Sequence, residues 1–334
     1  MYRVTVVLPV LPPDGLLLAS LRQNLGPILT SGLPPVNVIE IKFHFYAAKP
    51  GEGNDVRKRA KASADRESGD EGNFSAALTR GLRILRAFTA EDTTLGNQDF
   101  IERTGLPKAT ISRLTYTLVG LGYLTYDDSL GRYSIGPATV SLGYSALSSS
   151  PVVHIARPLM QELADDTRAA AALGTRDGVE MVYLANCRSM SPVSLRLNVG
   201  SRLPIWRTAM GLAYLAKMLP EKREALLEQM IRLEPDRAKE IAEHVNDASA
   251  QYAKRGFVAS FGAWYSYINA VGVAFRPTDG SQLVALTCGG IVDILPREKC
   301  LKEVGPALVA LVQRMRARLD GKADPEPAPR KRPD

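Results

Sequence analysis

Residues 105–136 constrain the fold more than any other part of the chain, because the spacing of their apolar residues changes halfway along. In the first half these residues recur every three or four positions, as on one face of a helix, and after Gly122 they alternate, as in β-strands. A shorter helical stretch, residues 95–104, precedes the segment, and Gly105 and Pro107 supply the turn between the two helices. The sequence therefore predicts a helix, a turn, a second helix and a β-hairpin, which together make a winged helix-turn-helix.

The second helix of this unit has an apolar face and a polar face. The apolar side chains share one face of a helical wheel and are predicted to be buried: Ile111, Leu114, Leu118 and Leu121. The opposite face offers cations, a hydroxyl, a small residue and an aromatic ring, all suited to phosphates or base edges in a major groove. The predicted DNA-binding residues are Lys108, Ala109, Thr110, Ser112, Arg113 and Tyr116, with Arg132 of the hairpin placed to meet phosphate or the minor groove.

Within this set the side-chain chemistry assigns different roles. Arg113 and Ser112 suit base edges, Lys108 and Arg132 suit phosphates, and Tyr116 suits packing on the sugar-phosphate backbone or a thymine methyl group. Thr110 lies on the flank of the buried face. An amphipathic helix with two cations is also a common solvated surface, but the order of helix, turn, helix and hairpin favours DNA binding.

A further helix upstream completes a three-helix module. Residues 75–89 place Leu78, Leu82, Leu85 and Phe88 on one face, which is predicted to pack inward. Several motifs then make the chain resemble the IclR family of bacterial transcription regulators, from about Phe74 to Leu319. They are ALTRGLRILRAF, GLPKATISRLTYTLVGLGYL, GRYSIGPATVSLG, ARPLMQELADDT, VGSRLPIWRTAMGLAYLAKML and KRGFVAS.

The resemblance implies an α+β protein with three parts: an N-terminal winged helix-turn-helix, a linker helix, and a C-terminal GAF-like α/β effector-binding domain. It also implies a homodimer or a dimer of dimers that binds a double-stranded DNA operator and responds to a small-molecule effector. We accordingly expect a DNA-binding domain over residues 74–136, a linker helix over 137–150 and an effector-binding domain over 151–320.

The two ends of the chain are predicted differently. Residues 1–73 are apolar but interrupted by Pro and Gly, then charged; we interpret them as a disordered extension or as sequence upstream of the true start, with a signal peptide as the rival. Residues 321–334 are predicted to be a disordered tail.

Composition limits the alternatives. The chain has 334 residues, of which 45% are hydrophobic and 23% charged, enough for two cores. A net charge of +7 suits a nucleic-acid partner, although the winged segment itself is close to neutral. The cysteines and histidines are scattered without metal-ligand spacing, so we expect no metal and no cofactor. No run of about 18 apolar residues occurs, so we expect no membrane span and a cytoplasmic protein.

The second domain mixes helices and strands. Helices are predicted over 152–167, 208–219, 220–256 with a break near Pro235, and about 297–319. Strands are predicted over 170–175, 180–187, 194–199, 268–276 and 283–288. This order favours an α+β domain over a doubly wound sheet.

The effector site is assigned partly by the resemblance and partly by aromatic residues that depart from it. The family places ligand contacts at positions that correspond to Ala209, Met210 and Gly211, to the stretch from Ser260 to Asn269 with Ala270, and to Thr287 and Gly289. Where many members carry an acidic run, this chain has aromatic rings, and a tryptophan precedes the Ala209 turn: Phe261, Trp264, Tyr265, Tyr267 and Trp206. Aromatic walls suit an apolar ligand, while Arg207, Asn269 and Thr287 can orient a carboxylate, hydroxyl or carbonyl.

We therefore expect a regulator that binds a small aromatic or apolar organic acid. Three alternatives stay open: the aromatic rings fill a ligand-free core or an interface, the chain is an architectural DNA binder, or Cys288 is a redox sensor. An enzyme is disfavoured, because neither a G-x-S-x-G motif nor a paired-carboxylate site occurs.

Overall fold

The computed structural model describes residues 75–89, 91–190, 197–278 and 280–325. The predicted extension, residues 1–73, and residues 326–334 of the predicted tail lie outside this part of the chain. The remainder has the predicted α+β composition.

The first module is the predicted winged helix-turn-helix. Its elements are α1 (Ala76–Leu85), α2 (Asn97–Thr104), α3 (Lys108–Gly120), β1 (Leu124–Asp127) and β2 (Arg132–Ile135). The two strands pair in antiparallel register from Leu124 opposite Ile135 to Asp127 opposite Arg132. All three helices and the hairpin contribute to one small core: Ile84, Leu95, Phe100, Leu106, Ile111 and Leu124.

Local sequence explains where these helices begin and end. The Ser75 hydroxyl accepts a hydrogen bond from the Leu78 amide and caps α1. Asp99 bonds the Gly96 amide at the start of α2. Gly105 ends α2 with a left-handed φ of 66°, a conformation that glycine adopts without steric cost, and the chain turns there into α3.

The predicted linker is a helix, α4 (Pro137–Ser148). It starts directly after Gly136, where an added Cβ would lie 2.2 Å from the Gly122 carbonyl oxygen, so the wing and the linker meet without room for a side chain. None of its residues is buried in the single chain. Val140, Leu142 and Tyr144 are each more than 60% exposed.

The sensor domain, residues 151–325, is built on six antiparallel strands. The strands are β3 (Ala170–Asp177), β4 (Glu180–Arg188), β5 (Arg202–Pro204), β6 (Val258–Phe261), β7 (Ile268–Phe275) and β8 (Val284–Ile291). Their order across the sheet is β5-β4-β3-β8-β7-β6. The helices are α5 (Pro151–Thr167), α6 (Ala209–Lys217), α7 (Pro220–Leu233), α8 (Ala238–Arg255), α9 (Arg297–Lys299) and α10 (Gly305–Leu319).

Helices cover both faces of this sheet. One core lies between the sheet and helices α5 and α10, with Leu159, Leu286 and Leu308 among its buried members. The other lies between the opposite face and helices α6 to α8, with Met210, Leu226 and Ile241 among its members. A fully formed core on each side explains why strands β7 and β8 are buried almost throughout.

Most predicted elements of the sensor domain are present, including the break between α7 and α8 at Pro235. The strand predicted over 194–199 is wrong for residues 197–199, which have no strand structure, and its other residues lie outside the described part. Strand β5 pairs with β4 instead, and β6 was not predicted.

Two further differences concern the C-terminal helix. It is interrupted by a π-helical stretch, Cys300–Val304, ahead of Gly305. An added Cβ at Gly305 would lie 2.4 Å from the Phe257 ring, so the ring occupies the space of a normal side chain there. The prediction of a disordered tail from residue 321 is wrong for the described residues 321–325, because Asp324 forms ion pairs with Arg314 and Arg318 at 3.1 and 2.7 Å.

Candidate DNA-binding surface and ligand cavity

Helix α3 presents the predicted polar face to solvent. Lys108, Ala109, Ser112 and Arg113 are exposed, and Tyr116 is 83% exposed. Neither Lys108 nor Arg113 forms an ion pair within the described residues. Two uncompensated cations, a hydroxyl and an aromatic ring thus lie on one side of the helix, where they can reach phosphates and base edges. Thr110 is half-buried on the flank, as its position on the wheel predicts.

The buried face of α3 is narrower than predicted. Ile111 is fully buried and Leu114 and Leu118 are half-buried, but Leu121 is 62% exposed. Leu121 lies beyond the last helical residue, Gly120, so the helical period no longer determines where its side chain points. Thr115 occupies the core instead, and its hydroxyl donates to the Ile111 carbonyl oxygen at 2.9 Å.

Helix α1 is rotated relative to its predicted orientation. Leu78 and Leu82 are 62% and 51% exposed, whereas Gly81 and Ile84 are buried. Gly81 and Ile84 therefore mark the face of α1 that is turned toward the module core. Of the four side chains predicted to pack inward, only those of Leu85 and Phe88 do so, at the edge of the core.

Arg132 of the hairpin is held by contacts that the sequence did not predict. Its Nε donates to the Thr94 hydroxyl at 2.9 Å, and its Nη2 donates to the Thr94 carbonyl oxygen at 3.1 Å and to the Asp99 carboxylate at 2.7 Å. Asp99 belongs to α2 and lies 33 residues before Arg132 in the sequence. The guanidinium is therefore hydrogen-bonded within the module, with its side chain 40% exposed.

A cavity of about 40 Å³ lies in the sensor domain between the sheet and the first turn of α6. Thr208 caps this helix: its hydroxyl accepts from the Gly211 amide at 3.2 Å. Glycines bring the helix start down onto the sheet. An added Cβ at Gly272 of β7 would lie 2.2 Å from the Ala209 carbonyl oxygen, and one at Gly211 would lie 2.0 Å from the Ile205 carbonyl oxygen.

Several of the predicted effector residues lie together around this cavity. They are Arg207, Ala209, Met210, Trp264, Ala270, Thr287 and Gly289. The strand residues among them, Ala270, Thr287 and Gly289, share one face of the sheet because Ala270 pairs with Gly289 and Gly272 with Thr287.

The other predicted residues lie elsewhere. Asn269 and Phe261 are opposite each other on the far face of the sheet, where Asn269 Nδ2 donates to the Leu295 carbonyl oxygen at 2.8 Å. Gly211 is buried within α6, and Tyr267 and Tyr265 are about half exposed. They are not among the residues that line the cavity.

Trp206 also points away from this cavity. Its Nε1 donates to the Glu234 carboxylate at 3.0 Å, and the Arg207 and Arg237 guanidinium carbons lie 5.5 and 5.3 Å from the centre of its ring. Trp206 instead lines a groove of about 200 Å³ bordered by Glu180 and Glu234. The indole is 1% exposed and serves as a core residue of the sensor domain.

Sequence reasoning missed the remaining wall of the cavity. The missed lining residues are Ala170, Ala172, Tyr183, Asn186, Leu197, Leu203 and Thr208, whereas Ser260 and Ile268 belong to the predicted stretch 260–269. Tyr183 and Asn186 are three positions apart, which in a regular strand would put them on opposite faces. A register shift between Leu173 and Gly174 of β3, opposite this part of β4, brings both to the cavity.

The polar groups of the cavity are few and chemically distinct. Arg207 Nε donates to the Ala263 carbonyl oxygen at 3.3 Å, and the guanidinium forms no ion pair within the described residues. Tyr183 is 7% exposed, and burial raises the pKa of its hydroxyl, so it stays protonated and can donate a hydrogen bond. Thr287 already donates to the Val271 carbonyl oxygen at 2.8 Å but can still accept.

Cys288 does not have the environment of a redox sensor. It is fully buried on the face opposite the cavity, and its sulfur lies 3.5 Å from the Thr167 hydroxyl. Burial raises the pKa of its thiol to about 11, so the reactive thiolate is scarce at neutral pH.

Other site types were also sought. In the part of the chain that the structure describes, no group of three or more His, Cys, Asp or Glu residues is arranged to hold a metal ion. None of the described helices is long and apolar enough to cross a membrane.

A winged helix-turn-helix with a free polar face, joined by a helix to a sheet domain with a small cavity, defines a two-domain DNA-binding regulator. Comparison with known proteins gives the family. Residues 77–128 match the IclR helix-turn-helix domain, and residues 144–316 match the C-terminal domain of bacterial transcriptional regulator IclR. The chain belongs to the IclR family of transcriptional regulators.

Individual relatives agree with this assignment. The HTH-type transcriptional regulator TsaQ1/TsaQ2 of Comamonas testosteroni is 31% identical over 252 residues, which cover 75% of this chain and 90% of the relative. An IclR family transcriptional regulator from Brucella abortus, a crystal structure, is 37% identical with a TM-score of 0.68 and covers 75% of this chain and 96% of its own. The relatives are transcriptional regulators and not enzymes, as the sequence predicted.

A more distant structure shares the fold. An IclR homologue from Microbacterium hydrocarbonoxydans, complexed with 4-hydroxybenzoate, is 23% identical with a TM-score of 0.55 and covers 71% of this chain and 99% of its own. At this identity the similarity concerns the fold alone.

Proposed function

We propose that this protein is a cytoplasmic regulator whose affinity for a DNA operator is set by a small aromatic or apolar organic acid bound in the cavity beside α6. The observation that supports this proposal is that Arg207, a cation without an ion-pair partner among the described residues, lies in a cavity whose walls are otherwise mostly apolar. An anionic group on an apolar body satisfies both features at once.

The walls favour an apolar body for the ligand. Most lining side chains are aliphatic or aromatic, including Leu203, Met210, Trp264 and Ile268. The carboxylate is assigned to the Arg207 side, next to the start of α6, where backbone amides also favour negative charge. The Tyr183 hydroxyl is available for a second polar group of the ligand.

A ligand-free sensor domain is the second candidate, and the size of the cavity favours it. About 40 Å³ holds on the order of three water molecules, which is less than a benzoate needs. Ligand binding therefore requires the walls to move. The loop that carries Trp264 between β6 and β7 is the wall that we expect to move, since Tyr265 and Tyr267 in it are about half exposed.

We further propose that the DNA-binding form is a homodimer. Exposed apolar side chains lie on the first helix of the DNA-binding module and on the linker helix: Leu78 and Leu82 on α1, and Val140, Leu142 and Tyr144 on α4. A monomer that leaves such residues in water gains from burying them against a second copy. Two recognition helices in one particle also supply the phosphate contacts that one lacks at cellular salt.

The ligand proposal is tested by titrating the full chain with aromatic acids while recording tryptophan fluorescence and the thermal midpoint. The panel includes 4-hydroxybenzoate, which is bound by the more distant homologue of the same fold, and neutral analogues such as phenol. We expect an acid to raise the midpoint and Arg207→Gln to weaken its binding about tenfold or more, since hydrogen bonds to charged groups contribute about 1.5–3 kcal/mol.

The matched control is Arg232→Gln, because Arg232 is an exposed arginine of α7. No response to any acid would favour the ligand-free candidate.

A mobility-shift titration on the DNA upstream of the gene, with excess competitor DNA, tests operator binding independently of the ligand. Light scattering of Leu142→Gln beside wild type tests the dimer.

A further inference from the structure

We infer that the wing of this protein braces the helix-turn-helix from within and supplies no cation to the DNA phosphates, with Arg132 acting as a positioning residue for the recognition helix. The inference rests on the contacts of Arg132 and Tyr133 and on the charge of the wing tip. It concerns how the DNA-binding module works and is independent of the ligand proposal.

The first observation is how Arg132 uses its nitrogens. Nε and Nη2 donate to the side chain and the carbonyl oxygen of Thr94 and to the Asp99 carboxylate, at 2.7–3.1 Å. Asp99 in turn accepts from the Gly96 amide at 2.8 Å. That backbone hydrogen bond, together with the nearby charge of Arg132, lowers the pKa of Asp99, so the carboxylate stays charged and neutralises the arginine. An arginine already paired in this way has little charge left for a phosphate.

The second observation connects the same strand to the recognition helix. Tyr133 exchanges two backbone hydrogen bonds with Leu95, each of 2.8 Å, so strand β2 holds the segment that leads into α2. The Thr115 hydroxyl of α3 lies 3.2 Å from the Tyr133 hydroxyl, and the Phe100 ring of α2 lies 5.7 Å from the Tyr133 ring. Adjacent residues of β2 thus fix both helices of the helix-turn-helix.

The third observation is the tip of the wing. Asp127 closes the turn by accepting hydrogen bonds from the Ser129 hydroxyl and from the Ser129 and Leu130 amides. These three hydrogen bonds lower the pKa of Asp127, and the bond from the Ser129 hydroxyl has the largest effect. Asp128 is exposed and Leu130 is 63% exposed. With two carboxylates and Arg132 as its only basic residue, the hairpin from residue 124 to 135 has a net charge of −1. Phosphates repel such a tip.

The test is the salt dependence of binding to a mixed-sequence duplex between about 50 and 200 mM salt, because each lost phosphate contact lowers the slope of log K against log salt by about 0.9. We expect Arg132→Gln to leave this slope unchanged while the thermal midpoint falls by a few degrees. Lys108→Gln is the matched control, with a shallower slope and an unchanged midpoint. A slope lowered by about 0.9 in Arg132→Gln would overturn the inference.

Two more variants keep the test decisive if Arg132→Gln folds poorly. Arg132→Lys keeps the charge but cannot reproduce the forked contacts to Thr94 and Asp99, so the midpoint should fall and the slope should stay. A wild-type midpoint in this variant would contradict a bracing role. Asp99→Asn should also lower the midpoint, non-additively with Arg132→Gln, without strengthening DNA binding. Tighter binding with a steeper slope would mean that the freed arginine reaches phosphate, and would reject the inference.

Discussion

Arg86 and Asp177 form an ion pair of 2.9 Å between the end of α1 in the DNA-binding module and the β3–β4 turn of the sensor domain. Asp177 also pairs with Arg202 at 2.9 Å, and Arg202 pairs with Glu180 at 2.6 Å. The residue after Arg202, Leu203, lines the cavity. A short chain of contacts therefore runs from the cavity wall to the DNA-binding module within one subunit.

We predict that Arg86→Gln weakens the effect of ligand on DNA affinity without weakening ligand binding. Both partners are about half exposed, so the free energy of unfolding should fall by less than about 1 kcal/mol. The measurement is operator affinity with and without ligand. Arg83→Gln is the control, because this arginine of α1 forms no ion pair in the described part of the chain. An undiminished ligand response in Arg86→Gln would show that coupling takes another route.

Arg113→Ala should separate base reading from phosphate binding. If Arg113 contacts a guanine in two places, the substitution costs about 1–3 kcal/mol on the operator and much less on random DNA. Competition binding assays on both DNAs measure the difference. Equal losses on the two DNAs would assign Arg113 to phosphate. Lys239→Ala, at a 91% exposed position of the sensor domain, should change neither affinity.

Gly272→Ala should destabilise the sensor domain, because Gly272 lies directly beneath the start of α6. The new methyl group would lie 2.2 Å from the Ala209 carbonyl oxygen and 2.6 Å from its carbon, and backbone cannot move aside as a flexible side chain can. We expect a loss of about 1–3 kcal/mol in the free energy of unfolding, measured by denaturant titration. Gly143→Ala in α4, where nothing lies within 4 Å, should instead be neutral or stabilising by up to about 1 kcal/mol.

Asp92 should contribute to the acid sensitivity of the DNA-binding module. Hydrogen bonds from Arg103 and Thr89 hold the pKa of Asp92 well below its usual value of 3.8. Because the folded pKa is the lower one, the stabilisation is present above about pH 4 and is lost as the pH falls from there toward the folded pKa.

The corresponding measurement is the thermal midpoint from neutral pH down to about pH 3. Asp92→Asn should lower the midpoint near neutral pH and flatten its decline in acid. Asp128→Asn, at an exposed carboxylate of the wing tip, serves as the control. Parallel curves for wild type and Asp92→Asn would contradict the assignment.

The sequence predicted elements better than it predicted which face of each element is buried. The helix-turn-helix and the hairpin were found because the apolar period changes sharply at Gly122. The period of α1 allowed a leucine stripe to be buried, but it carried no information that Gly81 would face the core and leave Leu78 and Leu82 outside. Which face of a helix is buried depends on the elements that pack against it, and this tertiary packing is not encoded in the period of the helix alone.

The same limit applies to the cavity. The segment 260–270 was predicted as a whole, but a strand alternates its side chains, so Ser260 and Ala270 line the cavity while Phe261 and Asn269 face away. Tyr183 was missed because its orientation depends on a shift in the register between β3 and β4, which the sequence does not reveal. The ion pair of Arg132 was not predicted because its partner, Asp99, is distant in sequence and nothing local reveals the pairing.

The glycines beneath α6 have a consequence for how such a domain diversifies. Gly272 and Gly211 let backbone rest on backbone, so the helix start is located by main-chain packing and not by any side chain that a ligand touches. Side chains such as Tyr183, Ser260 and Trp264 can then be exchanged without displacing that support. The side chains of the cavity wall are therefore free to vary, while the shape of the domain is held by residues that have no side chain to vary.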